Sequence, residues 1–139
     1  MINAIIKENI PENRLICLTK TAGDDEDKIY LRLTKEGEIP DFYSRKDVVK
    51  GEEVKIAIGN NKKWKAEAFD DIPAGVLLVS IGDGKVARAE GRTIEAAVGY
   101  SLHKVKAGEV VEFVFQPQTH KAWVDKVNKA IEGIGGDGE

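Results

Sequence analysis

The side chains that are able to do covalent chemistry are few and scattered in this chain. Ser101 and His103 lie two positions apart, which on a strand puts both on the same face. A hydroxyl beside an imidazole is the pairing used in nucleophilic catalysis. The G-x-S-x-G turn that exposes such a serine is missing, and ordinary strand alternation accounts for the pair. We therefore predict no catalytic residue and a protein that is not an enzyme.

Metal-ligating side chains are equally sparse. His103 and His120 are the two histidines, and they are too far apart in sequence for a local metal motif. Cys17 is the single cysteine and lies in an apolar run, which predicts a buried, inert thiol. We expect no metal site and no cofactor.

Carboxylates occur in adjacent pairs and in one acidic loop. The pairs Glu52–Glu53 and Asp70–Asp71 point to opposite faces if they lie on strands, so neither pair shares one site. The loop 23–27 lacks the regular ligand spacing and closing glutamate of a calcium loop. A solvated hairpin loop is the better interpretation.

Composition describes an ordinary globular chain with an acidic balance. The 139 residues are 42% hydrophobic and 32% charged, with a formal net charge of -3, and fit one main domain. That charge gives no basic footprint for nucleic acid. The basic cluster 62–65 is followed closely by carboxylates and is interpreted as a solvated strand face. The first ten residues read as neither a signal peptide nor a membrane span, so we expect an intracellular protein with no membrane partner.

The elements that must position these residues are turns and strands. The phrase apolar-x-x-Gly-x-x-apolar occurs three times, as Val48-Gly51-Val54, Ile72-Gly75-Leu78 and Val105-Gly108-Val111. Each copy predicts a turn that leads into a strand rich in β-branched residues. The structural turn residues are Gly51, Gly75, Asp83, Gly84 and Gly108. The spacing predicts a mainly β domain over residues 14–117, a small antiparallel β-barrel or β-tulip of about seven to nine strands. Within it, Gly99 in an apolar run predicts a bulge or a close backbone approach.

Residues 1–13 are predicted to form an N-terminal arm. Its apolar side chains include Ile2, Ile5 and Ile6. Such an arm is either a strand docked on its own domain or a segment that pairs with the sheet edge of another molecule.

The C-terminal residues change period. Trp123, Val127 and Ile131 lie at helical spacing, which predicts one helix over 118–134 and a flexible tail over 135–139. The apolar stripe of that helix is expected to pack on the barrel or on a neighbouring subunit.

The stretch from Val48 to Phe115 resembles the capsid decoration proteins of tailed bacteriophages, which are β-tulip or small β-barrel proteins. The resemblance depends on the order of five segments, 47–54, 72–75, 83–86, 97–102 and 107–111. It implies a homotrimer on the outside of the expanded head, which binds the major capsid protein and stabilises the shell against internal DNA pressure. It also implies synthesis in the host cytoplasm, no direct nucleic-acid partner, and a capsid grip for the arm through Ile2, Ile5 and Ile6.

Two other functions remain open. One is a stand-alone small-barrel module that binds a ligand or nucleic acid through Tyr43, Trp64 and the adjacent lysines. The acidic balance and the absence of clustered aromatic residues on one predicted strand weigh against it. The weakest is a hydrolase with a site around Ser101 and His103.

Overall fold

The computed structural model describes residues 2–56, 61–92 and 96–119, and within them the chain is mainly β, as predicted. Ten strands are found in these ranges, and none of the described residues is helical. The strands are β1 (Ile2–Ile6), β2 (Leu15–Thr19), β3 (Ile29–Leu33), β4 (Phe42–Tyr43), β5 (Glu53–Ile56), β6 (Lys63–Glu67), β7 (Leu77–Gly82), β8 (Lys85–Arg88), β9 (Ala96–Ser101) and β10 (Val110–Thr119).

The first sheet has the strand order β4-β2-β3-β1-β5 and decides between the two alternatives for the N-terminal arm. β1 runs parallel to β3 on one side and antiparallel to β5 on the other. It is a strand docked on its own domain, because Ala4 and Ile6 alternate into a hydrophobic core and are almost fully buried. Both edges of β1 are occupied, so Ile2, Ile5 and Ile6 cannot add as a strand to a capsid sheet in this fold.

The second sheet has the order β6-β10-β9-β7-β8, and all its ladders are antiparallel. It curls until its two outer strands meet at a parallel bridge between Ala68 and Val86. The prediction of one antiparallel barrel is therefore corrected to two five-stranded sheets, of which this one approaches a barrel. Gly99 sits at the predicted bulge: its φ is +151°, and the register shifts on both sides of β9.

β10 extends further than the sequence pattern indicated. Gln118 and Thr119, expected to begin the C-terminal helix, pair with Ala97 and Ala96 of β9 after a bulge that accommodates Pro117. The remainder of that prediction, with Trp123, Val127, Ile131 and the tail, lies outside the described residues.

The two sheets are built on one plan. The β1–β5 pair places Ala4 opposite Val54, and the β6–β10 pair places Ala66 opposite Val111. The β2–β4 ladder matches the β7–β9 ladder, and β2–β3 matches β7–β8. The parallel contact also recurs. β1 is parallel to β3, and Ala68, directly after β6, forms a parallel bridge with Val86 of β8. The chain thus contains two copies of one structural unit, which we call the first half and the second half.

The repeated phrase explains this likeness. Val48 bridges Ile10 in the first half, and Val105 bridges Ile72 in the second, each through two backbone hydrogen bonds of 2.9 Å. The turn residues have positive φ, with Gly51 at +85°, Gly75 at +75°, Asp83 at +53°, Gly84 at +68° and Gly108 at +88°. A fourth copy is hidden at Ile10-Pro11-Glu12-Asn13, where Asn13 replaces the glycine with a φ of +60°.

A buried serine locks each half in the same way. The Ser44 hydroxyl donates to the Pro11 carbonyl at 2.6 Å and accepts from the Arg14 amide at 3.0 Å. Its counterpart Ser101 donates to the Pro73 carbonyl at 2.6 Å and accepts from the Val76 amide at 3.1 Å. The same hydrogen-bond geometry therefore closes both halves.

Candidate interaction surfaces

The residues of the hydrolase alternative, together with Cys17, make contacts that hold the fold. The Ser101 hydroxyl is buried and bound to backbone groups, as described above. The His103 Nε2 accepts the Glu112 amide at 3.1 Å, so both side chains of the pair have backbone partners of their own. Cys17 is buried with its Sγ 3.3 Å from the Thr34 hydroxyl, and burial raises the pKa of the thiol. These contacts describe structural roles.

The described part of the chain contains no group of three or more His, Cys, Asp or Glu side chains placed to hold a metal ion. It also contains no helix with the length and apolar character needed to cross a membrane.

The junction between the sheets is closely fitted and charged. Gly84 donates its amide to the Thr34 carbonyl at 3.1 Å and accepts the Leu15 amide at 2.8 Å. A Cβ on Gly84 would lie 2.6 Å from the Leu15 oxygen, so only glycine fits at this positive φ. Beside it, Glu67 bridges Arg14 of the first half and Lys85 of the second, at 3.3 and 3.1 Å. Partial burial alone would raise the pKa of Glu67, but these two cations lower it on balance.

An open groove of about 400 Å³ lies beside this junction. The first half contributes the loops that carry Glu12, Asn13, Tyr43 and Arg45, and the second half contributes Asn61, Lys63 and Lys65. Lys63 and Lys65 share the exposed face of β6, because Trp64 between them points inward. Three cations and one carboxylate therefore line the groove. We name it the junction groove.

Tyr43 and Trp64, the aromatic residues of the binding-module hypothesis, contact each other, but the Trp64 side chain is buried in the core. Trp64 is 8% exposed, stacks on Phe115 at 3.6 Å between ring centroids and lies 5.6 Å from Tyr43. It belongs to the core of the second sheet. Trp64 thus offers no free ring face for a base or ligand.

A second surface is an apolar strip on the outside of the second sheet, formed by Phe69, Leu102 and Val110. Their exposed fractions are 53%, 47% and 37%. Val110 pairs with Glu67 of β6, and Phe69 follows Glu67 by two residues along the chain. Leu102 donates its amide to the Glu112 carbonyl, two residues from Val110. Alternation continued past the ends of β6 and β9 places Phe69 and Leu102 on the outer face that carries Val110. The Arg92 guanidinium lies over the Phe69 ring at 5.5 Å from its centroid.

The first half has charged residues at the three equivalent places. Phe69 donates its amide to Val86 as Lys7 donates to Leu31, so Lys7 is its counterpart. Arg45 follows Ser44 as Leu102 follows Ser101, and Glu53 pairs with Ile5 where Val110 pairs with Glu67. Because the same plan folds with charges there, the scaffold does not require the apolar strip.

Sequence reasoning missed both surfaces for one reason. Alternation marked Lys63 and Lys65 as exposed, yet nothing in the sequence showed that Tyr43 and Arg45 lie opposite them across the junction. Aligning residues 44–54 with 101–111 through their serines would have shown the repeat, and with it two pairs of the strip: Arg45 against Leu102 and Glu53 against Val110. Of the residues predicted for the capsid grip, Ile6 lies in the core and Ile2 is 40% exposed.

Comparisons with known proteins are informative for solved structures. No family model matches the chain, and no curated protein matches its sequence. Among solved structures, it is similar to the N base of head fiber gp8.5 in bacteriophage phi29, known from a crystal structure. The TM-score is 0.72 at 25% sequence identity, and the match covers 83% of this chain and 92% of that chain.

The chain shares its fold with a phage head protein. The resemblance to phage head proteins stated from the sequence is confirmed at that level, through a head fiber base. The match extends over more than the stretch from Val48 to Phe115 that carried the sequence resemblance, since 83% of the chain is covered.

Proposed function

We propose that the protein is a non-enzymatic structural component of a phage head, made in the host cytoplasm and bound to the outside of the expanded shell. The observation that carries the proposal is the fold likeness to a head fiber base across nearly all of that base. The roles of Ser101, His103 and Cys17 within the fold support a structural function.

In this proposal, the protein acts as a decoration protein. A homotrimer contacts several copies of the major capsid protein at once and holds them together against internal DNA pressure. Multivalency makes this physically reasonable, because linked weak contacts add to a firm attachment. The order of turn motifs along the chain supports the same role.

We assign the shell contact to the apolar strip of Phe69, Leu102 and Val110. Exposed apolar residues that lie side by side are typical of protein-binding surfaces. The charged counterparts in the first half support a role in binding, because they show that folding alone does not demand apolar side chains there.

The test combines mass and attachment. Light scattering is expected to give about three times the 15.3 kDa of one chain. Co-sedimentation with empty expanded phage heads, beginning with phi29 heads that lack fibers, is expected to bring the protein down with the heads. A monomer that leaves the heads bare would contradict the proposal.

Variants at the strip locate the contact. The double change Phe69→Lys with Leu102→Arg installs the basic side chains of the first half and is expected to abolish co-sedimentation. Val49→Lys with Leu18→Lys is the matched control, since both residues are exposed and apolar but lie in the first half. Deletion of residues 1–10 is unsuitable here, because it removes β1, an interior strand of the first sheet.

A further inference from the structure

We propose that the junction groove binds a short acidic segment of a partner protein. This inference depends on the chemistry of the groove alone and does not require the partner to be a phage shell. Its lining carries Arg45, Lys63 and Lys65 against the single carboxylate of Glu12, in a chain whose net charge is -3.

The fold does not require this concentration of positive charge. In the ladders of the two halves, Lys65 pairs with Glu112 where Asn3 pairs with Lys55, so a neutral side chain serves at the equivalent place. Lys63 makes an ion pair with Glu112 at 3.0 Å, yet its side chain remains 57% exposed. Both ammonium groups can therefore reach a bound anion.

The groove is also fixed in shape before a ligand arrives. Its two walls are joined by the Glu67 amide, which donates to the Asn13 carbonyl at 2.8 Å. On one wall the Asn61 side chain accepts the Lys63 amide at 2.9 Å. On the other, Arg45 lies over the ring of Tyr43 at 5.6 Å from its centroid. A preorganised site loses less conformational entropy on binding.

The lining favours carboxylates of a peptide over a nucleic acid strand. Single-stranded nucleic acids are bound by free aromatic faces together with a long track of cations. Here the Trp64 ring is covered by Phe115, and the Tyr43 ring contacts Trp64 and has the Arg45 guanidinium over it. Three cations and two asparagine side chains match two or three carboxylates and the backbone between them.

The experiment measures fluorescence anisotropy of labelled hexaglutamate titrated with the whole chain. The variant Arg45→Glu, Lys63→Glu, Lys65→Glu is expected to bind about ten-fold more weakly or not at all, because like charges then face the peptide. The control is Lys20→Glu, Lys55→Glu, Lys104→Glu, which changes net charge equally at exposed sites outside the groove. It is expected to bind as the unmodified chain does.

The outcomes separate clearly. Equal weakening in both triple variants, or no binding of hexaglutamate by the unmodified chain, would overturn the proposal. A labelled oligothymidylate that binds more tightly than hexaglutamate and depends on the same three residues would overturn it in favour of nucleic acid. If the triple variant fails to fold by circular dichroism, Lys65→Glu alone, which breaks no ion pair with N···O within 4.0 Å, is expected to weaken binding.

Discussion

The two sheets of this protein have the same strand plan, but they bury their cores to different degrees. Val111 and Phe113 of β10 are fully buried, whereas their counterparts Val54 and Ile56 of β5 are only partly buried. Trp64 is 8% exposed, and its counterpart Ile2 is 40% exposed. The difference arises because β10 pairs with both β6 and β9, which curls the second sheet around its core.

The comparison separates what the scaffold needs from what it tolerates. Both halves keep a buried serine, the bridged apolar pair and a fully buried alanine in the first strand, Ala4 or Ala66. The outer faces differ in charge and polarity. We therefore assign the shared features to stabilising the fold, and we propose that partners bind on the outer faces that differ.

The largest effect is expected at the curl of the second sheet. Gly99 has a Cβ direction that runs into the Val114 carbonyl at a φ of +151°, so Gly99→Ala combines backbone strain with overlap. We expect a loss of roughly 5 kcal/mol, enough to unfold a domain of ordinary stability. The measurement is urea unfolding followed by tryptophan fluorescence.

Phe42 is the matched control for Gly99, because Phe42 pairs with Ile16 as Gly99 pairs with Leu78. Its side chain is partly exposed, so Phe42→Ala is expected to cost only about 1–2 kcal/mol. If Gly99→Ala were as mild as Phe42→Ala, the explanation of the curl would be wrong.

A second contrast tests the burial difference directly. Phe113→Ala removes a fully buried ring and is expected to cost about 4 kcal/mol, since a cavity remains in the closed core. Ile56→Ala at the counterpart position is expected to cost about 1–2 kcal/mol because its side chain is already partly exposed. Unfolding free energies from urea titration decide the matter, and equal losses would show that the first core is as closed as the second.

Equivalence of the halves is tested at the serines. Ser44→Ala and Ser101→Ala each remove a donor to a proline carbonyl and an acceptor for a partly buried amide, so each is expected to cost about 1–2 kcal/mol. The double variant is expected to show the sum, because the sites share no partner. A large effect at one serine and none at the other in calorimetry would argue against a common lock.

Sequence patterns predicted the local parts of this fold well. Alternation and turn residues gave a mainly β chain, and Gly99 inside an apolar run predicted the bulge. These patterns did not predict features that depend on contacts between residues distant in sequence. The first ten residues were predicted to be an arm because they are short and have many polar neighbours, and the sequence left open whether the arm docks on its own domain. The burial of β1 comes from β3 and β5.

The sequence showed three of the four copies of the repeated phrase. Three copies of the phrase contain glycine, but the fourth has Asn13, whose side chain tolerates the left-handed conformation that glycine supplies elsewhere. The junction groove requires knowing which loops meet across two sheets. Neither composition nor periodicity carries that information.

A charged pair specific to the first half is expected to make stability depend on pH. Arg32 donates two hydrogen bonds of 2.7 Å to Glu38 and thereby holds the pKa of that carboxyl at about 2, well below its usual 4.5. The second half has Ala87 in place of Arg32. Since the folded pKa is the lower one, the pair stabilises the protein above pH 4.5 and loses its contribution as pH falls from about 4.5 to about 2.

Glu38→Gln is expected to lower stability at pH 7 by about 1 kcal/mol, because a side chain that is one-third exposed is screened by water. The deficit is expected to shrink steadily below pH 4.5 in urea titrations at several pH values. Glu36→Gln, an exposed carboxylate two residues away, is the control. A deficit that stays constant between pH 7 and pH 2.5 would contradict the assignment.

The smallest effect on stability is expected where the halves differ most in surface chemistry. Phe69→Lys gives the second half the residue that the first half has at Lys7, and Phe69 is already 53% exposed. We expect a change of at most about 0.5 kcal/mol in unfolding free energy, because exposed positions contribute little to folding. Attachment to phage heads is expected to fall in the same variant. A stability loss as large as that of Phe113→Ala would instead show that Phe69 is part of the core, which would contradict the assignment of the strip as a binding surface.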